Sequence, residues 1–361
     1  MKILSKSYFL GLMGLFISLN VYAQDKSLIL GGSVSDSKKY TMAYLAPLER
    51  GMADASANGL INFTNSDKQV RFNFGINFSS AITPSSQRSF DINDLGLEEF
   101  NASDPNKTIA QSISGSDETI DIETKTTYYK PHVGIPIYEE VPLAKFESPA
   151  GIGVPLMPLP VLSFGIYTFG THLNFNLLPN LHTTKEVDYV SYGVSLQHNL
   201  EASVPAMKEW TVKFAVSAAY QYTNLKYHLD IQPDETKIGL ELTADNGPYD
   251  NQLMDVDITS IPLQLIAYRD FSSLTLYGSV GYNITTSAVA LKGNYPMYIA
   301  DPAHVLKVGV EDIVDPYSYN RSYNHFRFDL GLNYQIGFMK FKASYTLSEY
   351  QVFHIGLGVS I

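Results

Sequence analysis

Strict alternation of apolar and polar residues near the C-terminus constrains the fold of this 361-residue chain more than any other feature. In FRFDLGLNYQIGF, residues 326–338, every even position is apolar or aromatic, and the odd positions include Arg327 and Asp329. A period of two predicts a β-strand with one apolar face. A soluble sandwich would turn that face inward, whereas a membrane barrel would turn it toward lipid and keep the charges in its lumen.

The first residues predict export. Lys2 and Lys6 precede an apolar run, and the small residue Ala23 follows it as a cleavage site. This pattern is typical of a secretory signal peptide over residues 1–23. We therefore expect a periplasmic, secreted or outer-membrane protein.

Composition favours the outer-membrane barrel. The chain has no cysteine, which argues against a lipoprotein, a disulfide framework or a thiolate metal site. After the signal, no apolar run approaches the ~20 residues that a membrane helix needs. Charged residues make up only 17%, below the quarter that is usual in soluble domains, while Tyr (25) and Phe (19) are frequent. The net charge of −11 argues against a nucleic-acid partner.

The same alternation recurs along the chain and predicts an all-β, transmembrane, antiparallel up-and-down barrel over residues 70–361, in the bacterial outer membrane. A further hairpin at 120–130 or 236–244 would raise the count of about ten strands to twelve or more, with 12–14 as the alternative. In one strand, Trp210 and Tyr220 are predicted to lie at the two edges of the apolar band. The predicted strands are 70–80, 160–167, 171–179, 186–199, 210–229, 253–268, 273–291, 321–338, 339–348 and 351–361.

Connection lengths follow the same plan. Links near 169, 270 and 338 are short, and most intervening links are long, which is the pattern of bacterial barrels. The longest stretch, 81–159, is acidic and is expected to be an irregular extracellular loop. A loop of this length is usually either functional or disordered.

The last strand resembles those of other outer-membrane barrels. The shared pattern is a polar residue, a glycine and terminal hydrophobic residues, here His354, Gly356, Val359 and Ile361. This resemblance implies recognition by the barrel-assembly machinery. Outer-membrane lipids and lipopolysaccharide are the other expected partners.

Residues 24–69 do not alternate and are expected to form a hatch-like segment in the lumen or periplasm. The run MADASANGLINF resembles the luminal hatch of the long-chain fatty-acid outer-membrane transporter family, with matches at Ala53–Ser56 and at Asn58. The chain as a whole is similar to an uncharacterised group of Gram-negative barrels with a Pro-rich strand entry, here Pro158–Thr171. The first resemblance implies passage of a hydrophobic molecule.

Lumen-facing charges are the candidate functional residues. By parity, a basic collar at the periplasmic mouth is predicted from Arg71, Lys213, Lys340 and Lys342. Glu49 and Asp54 of the hatch would be its counter-charges and would hold a movable plug. The plainer interpretation is a set of solvated pairs, each worth ~0–1 kcal/mol.

Arg327 and Asp329 are expected to lie in mid-lumen. They are two residues apart on one strand face, so they should pair with each other or with a neighbour such as Gln351.

Hydrolase and metalloprotease motifs are not found, so we expect no enzyme, no cofactor and no metal. The first functional hypothesis is a channel or transporter for small hydrophobic molecules. The alternative is a structural or partner-binding barrel without transport. A lateral opening in the wall or an apolar pocket under the long loop would favour transport, and a lumen packed with Arg–Asp networks would favour the structural role.

Overall fold

A computed structural model describes residues 33–63, 70–131, 138–182, 186–233, 247–300 and 308–361. The predicted signal peptide, the ends of the predicted hatch-like segment and the alternative hairpin at 236–244 lie outside the described residues.

Ten antiparallel wall strands form a closed barrel, which confirms the predicted fold class and strand count. Neighbours in sequence pair with each other, and the last strand pairs with the first, so the sheet closes on itself. One wall strand is split in two at Tyr323 and Asn324. The wall strands are β1 (Val70–Ile82), β9 (Leu156–Thr168), β10 (Thr171–His182), β11 (Val187–Asn199), β12 (Lys213–His228), β13 (Leu253–Phe271), β14 (Leu274–Lys292), β17 (Tyr317–Ser322) with β18 (His325–Ile336), β19 (Met339–Leu347) and β20 (Gln351–Ser360).

The apolar face of the wall points outward. Phe326 and Leu330 are 67% and 66% exposed, while Arg327 and Asp329, on the other face, are each 3% exposed. Along β17 the outward positions change to exposed serines and asparagines, so the apolar band ends at Phe326. Ten residues further, at Ile336, the strand has descended ~25 Å for a rise of ~3.3 Å per residue and a tilt of ~40°, which is the height of an outer-membrane apolar band.

Trp210 is not part of the wall, contrary to prediction. It follows a short 3₁₀ turn, Pro205–Glu209, and β12 begins only at Lys213. Pro205 is one reason: a proline fits the first residues of a helical turn and cannot donate to a strand ladder. Tyr220 points outward as predicted.

The connection between β1 and β9, expected from the sequence as a long loop, contains seven short strands. Its strands form three small sheets outside the wall, at the barrel end opposite the tight turns. Two of these short strands occupy residues 121–131, so this region adds no strand to the wall. Because the ten wall strands already close the barrel, the alternative of 12–14 strands is wrong. We call residues 83–131 and 138–155 the cap, with strands β2 (Ser89–Asp91), β3 (Phe100–Ala102), β4 (Ile109–Gln111), β5 (Asp121–Thr124), β6 (Thr127–Pro131), β7 (Tyr138–Pro142) and β8 (Lys145–Glu147).

Helix α1 (Val34–Ser56) occupies the lumen, in the segment for which alternation predicts no strand. The side chain of Ser33 caps its N-terminus by accepting from the Asp36 N–H at 3.2 Å. Helix α1 is buried on several faces because the barrel and the cap surround it. Gly59, at φ 74°, turns the chain out of the helix in a left-handed conformation that favours glycine.

The remaining elements are small. Strands β15 (Asn294–Ala300) and β16 (Val308–Val314) form a hairpin outside the wall, and the other 3₁₀ turns are Ser85–Gln87, Ile92–Leu95 and Leu200–Ala202. Among the described residues, no helix is long and apolar enough to cross a membrane.

Replacing Leu330 with Arg tests the position of the apolar band. Leu330 points outward within the band, so Leu330→Arg should cost ~2–4 kcal/mol of folding free energy in a bilayer. Asn320→Arg is the matched control, because Asn320 points outward on the same wall strand beyond the band. Equilibrium unfolding in lipid vesicles measures both, and equal costs would contradict the assigned band.

Candidate functional site

The lumen is filled by a plug, which we define as α1 followed by residues 57–63. Its N-terminal end is fastened to the cap by Asp36. This fully buried carboxylate accepts three main-chain N–H groups, from Glu98 at 3.0 Å, Glu99 at 2.6 Å and Phe100 at 2.9 Å. A carboxylate in the first turn also interacts favourably with the helix dipole.

An apolar core joins the cap to the plug. Tyr40 is buried among cap residues and meets the ring of Phe90 edge-on at 5.2 Å. The main chain adds a further link, because Ile113 N–H donates to the Tyr44 carbonyl at 3.0 Å. The cap therefore holds the upper half of the plug in place.

Glu49 lies fully buried in the half of the barrel nearest the cap. Its two carboxylate oxygens accept from the Tyr319 hydroxyl at 3.0 Å and the Tyr323 hydroxyl at 3.1 Å. Arg321 Nη1 lies 3.9 Å away and donates to the Met42 carbonyl of α1 at 2.9 Å. Glu49 is thus bound to β17 and to the residue that follows it.

Asp54 is held one turn further along α1. His325 Nε2 lies 2.7 Å from its Oδ1, and its Oδ2 accepts from Ser348 Oγ at 3.1 Å and the Tyr350 N–H at 3.2 Å. Arg50 pairs with Glu349 at the end of β19. These contacts tie the plug to β18 and to the turn between β19 and β20.

Arg327 and Asp329 form an ion pair below the C-terminal end of α1. Arg327 Nη2 lies 2.6 Å from Asp329 Oδ1, and Arg327 Nη1 donates to the Ala57 carbonyl at 2.7 Å. Arg327 Nη2 also donates to Asn58 Oδ1 at 2.9 Å, and Gln264 donates to Asp329 at 2.7 Å. A cation at the C-terminal end of a helix opposes the negative end of its dipole.

Lysines from β19 hold the lower part of the plug. Lys340 Nζ donates to the Phe63 carbonyl at 2.7 Å, and Lys342 Nζ donates to Asn62 Oδ1 at 2.9 Å. Gln197 bonds both the N–H and the carbonyl of Asn62, at 2.9 and 2.8 Å. These inward lysines bind main chain and amides of residues 59–63.

The predicted pairing of Glu49 and Asp54 with the basic collar is wrong. Glu49 contacts β17, at the end of the barrel far from Lys340. The reason is the direction of α1. Its N-terminus lies at the cap, so Glu49 and Asp54 lie between the cap and Arg327. Of the other collar residues, Arg71 donates to the Ser360 carbonyl at 3.3 Å and Lys213 lies 3.5 Å from Asp270.

The residues of the C-terminal pattern lie on β20 and just after it. His354 points inward, with Nδ1 3.1 Å from Ser79 Oγ, and its ring lies against Gly59 of the plug. Ile361 exchanges two main-chain hydrogen bonds with Phe72 of β1, at 2.8 and 2.9 Å. A contact with the assembly machinery stays a prediction.

The wall contains a seam between β9 and β10. The two strands pair from their turn at Thr168 and Thr171 up to Leu162 and Leu177, and the pairing stops there. Beyond that point, within the residues that the structure describes, each strand pairs only with its other neighbour. We call the unpaired edges, Leu156–Val161 of β9 and Leu178–His182 of β10, the seam.

Prolines explain why the ladder stops. Thr168 and Thr171 close a two-residue hairpin, so alternate residues of each strand direct their N–H groups at the partner. Pro160 lies eight residues before Thr168 and Pro179 eight residues after Thr171, so they would face each other. Neither has an N–H to donate. Pro158 removes a further donor from the same edge.

A proline on its own does not open the wall. Pro262 of β13 coincides with a gap between β12 and β13, but the pairing resumes at Gln221 and Ser260. At the seam the pairing of β9 with β10 does not resume. Prolines remove N–H donors from both strands, and β10 bulges after Leu178.

A small cavity lies behind the seam. Its volume is about 10 Å³, room for a single water. Leu159 and Val161 of β9, Asn176 of β10 and Ala55 of the plug are among its lining residues. Above it, Gly51 of α1 approaches Met157 of β9 so closely that an added Cβ would lie 2.7 Å from Met157 Cγ.

The seam was missed in the sequence, although a signal for it is present there. Counting outward from the predicted turn near 169 places Pro160 opposite Pro179. What counting cannot supply is the cavity, since the plug residues that close it are distant in sequence.

The family of the chain follows from a match over its full length. A family model described as a family of unknown function (DUF6588) matches residues 1–361. The chain belongs to this family. No curated protein matches it. The family assignment does not support the resemblance to the fatty-acid transporters.

Solved structures with some similarity are outer-membrane proteins. They include Ail, the attachment invasion locus protein of Yersinia pestis (8% identity, TM-score 0.26, 81% of this chain and 100% of that one). The translocator domain of autotransporter NalP from Neisseria meningitidis has 11% identity and a TM-score of 0.24, with 89% and 96% covered. The outer-membrane protease OmpT from Escherichia coli has 8% identity and a TM-score of 0.28, with 84% and 100% covered. At these TM-scores the similarity carries no argument, and the barrel rests on its own strand pairing.

The expectation that the chain is not an enzyme stays a prediction. Within the described ranges, no group of three or more His, Cys, Asp or Glu side chains is placed to hold a metal ion.

Removing Arg327 tests the ion pair that holds the plug. Arg327→Leu leaves the Asp329 carboxylate buried without its cation, so we expect a loss of ~3–5 kcal/mol in unfolding free energy. Lys213→Leu, which breaks the half-exposed pair with Asp270, should cost at most ~1 kcal/mol. Urea unfolding in vesicles measures the cost. Hydrogen exchange of α1 amides should rise only in the Arg327 variant, and unchanged exchange there would contradict the assigned role.

Proposed function

We propose that this protein is an outer-membrane barrel that passes small hydrophobic molecules sideways through its wall, at the seam between β9 and β10. The observation that carries the proposal is the end of the β9–β10 pairing at Leu162 and Leu177, where Pro160 and Pro179 lack the next N–H donors of the ladder. Breaking a barrel wall normally requires breaking ladder hydrogen bonds inside lipid, which is costly. Here those bonds are already missing, so parting the edges costs less than at any fully paired position.

The height of the seam supports an exchange with the outer leaflet. Eight residues from Thr168 to Pro160 climb ~20 Å along a strand tilted by ~40°, and the apolar band is ~25 Å tall. The outward side chains around the seam include Leu156, Leu162 and Leu177, which are all exposed and apolar. A hydrophobic molecule at this height would reach the seam without entering water.

The plug would act as the gate. The cavity behind the seam is too small for a ligand, so residues near the C-terminal end of α1 must shift before one can enter. Many of the plug's contacts below the cap are hydrogen bonds and ion pairs, and water can replace such partners when it enters the lumen. Because α1 packs against β9 at Gly51 and Met157, a shift of the plug would also release one edge of the seam.

Location and partners follow from the outward apolar band. We infer that lipid and lipopolysaccharide surround this band in the bacterial outer membrane, and that the barrel-assembly machinery inserts the protein there. The band supports this because an exposed apolar belt of this size is unfavourable in water.

The structural barrel remains the second candidate, and one observation favours it. The buried Arg327–Asp329 pair, bonded to the plug, is the kind of network expected in a permanently closed lumen. On that hypothesis the cap would be the functional surface and nothing would cross the wall.

Cross-linking the seam separates the two candidates. The natural chain has no cysteine, so the double variant Val161→Cys with Leu178→Cys, which keeps both prolines, can be joined by a disulfide without background. Closing the seam should reduce uptake of a fluorescent apolar probe into cells at least ~10-fold, because it ties together the edges that must part. The reduced, uncross-linked variant should keep its uptake.

The matched control joins Leu162→Cys to Leu177→Cys, the last pair that is already bonded. This cross-link restrains strands that do not move and should leave uptake unchanged. Equal uptake with the seam open or closed would overturn the lateral route and leave the structural barrel.

A further inference from the structure

We propose that Lys340 and Lys342 of β19, together with His354 of β20, bind the anionic head group of an amphiphile, and that plug residues 59–63 cover this site when no such molecule is bound. This inference rests on the proposed lateral route and adds the chemical class of the molecule carried. A hydrophobic molecule with a charged head needs a partner for that charge once it leaves water.

Both lysines are bonded to uncharged oxygens of the plug. Lys340 Nζ donates to the Phe63 carbonyl at 2.7 Å. Lys342 Nζ donates to Asn62 Oδ1 at 2.9 Å and lies 3.4 Å from the Gly59 carbonyl, and no acid among the described residues pairs with it. Hydrogen bonds between two charged groups are stronger than those to neutral acceptors, so an anion would bind Lys342 more tightly than the plug does.

The charges that act on the neighbouring histidines are also positive. Lys342 interacts electrostatically with His354, and Lys340 and Lys342 both interact with the fully buried His172. Glu49 and Asp54, the counter-charges predicted from the sequence, bind β17, His325 and the turn after β19 instead. An anion at this place would therefore reduce repulsion between like charges.

Three polar groups meet over Gly356. A Cβ at this glycine would lie 2.6 Å from Asn77 Oδ1, 3.0 Å from Lys342 Cε and 3.4 Å from His354 Nε2. His354 is 3% exposed, and its Nε2 has no hydrogen-bond partner. Its Nδ1 lies 3.1 Å from Ser79 Oγ, a hydroxyl that can donate to it. In that tautomer Nε2 carries the proton and is a free donor for an anion.

Asn77 needs only a rotation of its amide to become a second donor. Its Oδ1 has no partner, while its Nδ2 donates to Ser163 Oγ at 2.9 Å. The Ser163 hydroxyl can donate as well as accept. Half a turn of the amide therefore keeps the bond to Ser163 and directs N–H groups toward an anion.

The register of the wall connects this site to the seam. Two neighbouring rows of inward-facing residues cross β9, β1, β20 and β19, one as Val161, Asn77, Gly356 and Lys342, the other as Ser163, Gly75, Gly358 and Lys340. Of the four residues on the two middle strands, three are glycines, so no bulky wall side chain separates the lysines from β9. With strands ~4.8 Å apart, Val161 of the seam lies ~14 Å from Lys342 along the wall.

The plug occupies the place that the head group would take. Gly59 rests on the His354 ring, since a Cβ there would lie 2.4 Å from His354 Cε1. Its carbonyl and Asn62 Oδ1 lie beside Lys342. A bound anion would compete with these oxygens, so its binding should raise hydrogen exchange of the amides of residues 57–63. The same shift of the plug is required by the proposed gate.

Photolabelling with two matched probes tests the inference. One probe is a twelve-carbon alkyl phosphate with a diazirine at the end of its tail, and the other is the alcohol of the same length. Both are added at pH 7 to the full-length protein in mild detergent, and mass spectrometry locates the label. We expect the phosphate to label peptides of β1, β9, β20 and the plug at least about 10-fold more than the alcohol, the effect of one hydrogen bond to a charged group.

Lys342→Gln should lower labelling by the phosphate probe about 10-fold, because it removes the charge and keeps a donor for Asn62. Labelling by the alcohol should not change, which checks that the variant is folded. Lys213→Gln is the matched control, because Lys213 also lies near the tight turns but is 3.5 Å from Asp270. Its labelling should match that of the natural protein.

Inorganic phosphate distinguishes a head group from a free anion. It lacks the apolar tail, so it should compete poorly with the alkyl phosphate. Complete competition at the concentration of the probe would overturn the assignment to an amphiphile.

The remaining outcomes separate this inference from the proposed function. Equal labelling by the two probes, or labelling by the phosphate that Lys342→Gln leaves unchanged, would overturn the head-group site and leave the lateral route to the uptake experiment. Labelling by the phosphate that survives the disulfide between Val161→Cys and Leu178→Cys would support the site and overturn the lateral route, since the molecule would then enter at the periplasmic mouth.

Discussion

The need to satisfy every main-chain N–H and C=O group inside a lipid bilayer governs this structure. A barrel meets that need by closing its sheet, and here ten wall strands do so, with β20 bonded to β1. A place in the wall where main-chain groups cannot pair is therefore a candidate for function. The ladder between β9 and β10 ends at Leu162 and Leu177, two residues before Pro160 and Pro179, which lack the N–H groups that would continue it. In the part of the chain that the structure describes, the wall therefore lacks ladder hydrogen bonds between β9 and β10 above Leu162 and Leu177.

A second constraint is that charges in a narrow lumen must be paired or hydrogen-bonded. The plug satisfies this requirement at both ends of α1. Asp36 is hydrogen-bonded at the N-terminal end, and Arg327 of the wall donates to the main chain at the C-terminal end. Both charges also suit the dipole of the helix. Polar fastening of this kind differs from an apolar core, because water can take the place of the partners. Apolar contacts add to these bonds, because Met52 and Phe63 of the plug pack against buried apolar side chains of the wall.

Seam and plug meet on one strand. β9 provides an unpaired edge to β10, and its inward residue Met157 packs against Gly51 of α1. β1 pairs with β9 along its whole length, and the contact between Met157 and Gly51 adds a link from the seam end of β9 to α1. The two features therefore belong to one mechanical unit, and the cavity at Leu159 and Val161 lies at their junction.

The alternation of the strands determined by itself the class of fold and the face on which the strand charges lie, because a period of two fixes orientation wherever one face is apolar. It indicated about ten wall strands, and the closed strand pairing decided that number. The alternation placed Arg327 and Asp329 in the lumen correctly, two residues apart on one face. It could not give the partners of Glu49 and Asp54, because parity says nothing about the direction or depth of a helix inside the barrel. Only the tertiary structure decided that α1 points its N-terminus at the cap, that its acids meet Tyr319 and His325, and that a cavity lies behind the prolines. These are contacts between segments far apart in sequence, and their geometry is set by packing, which no local pattern encodes.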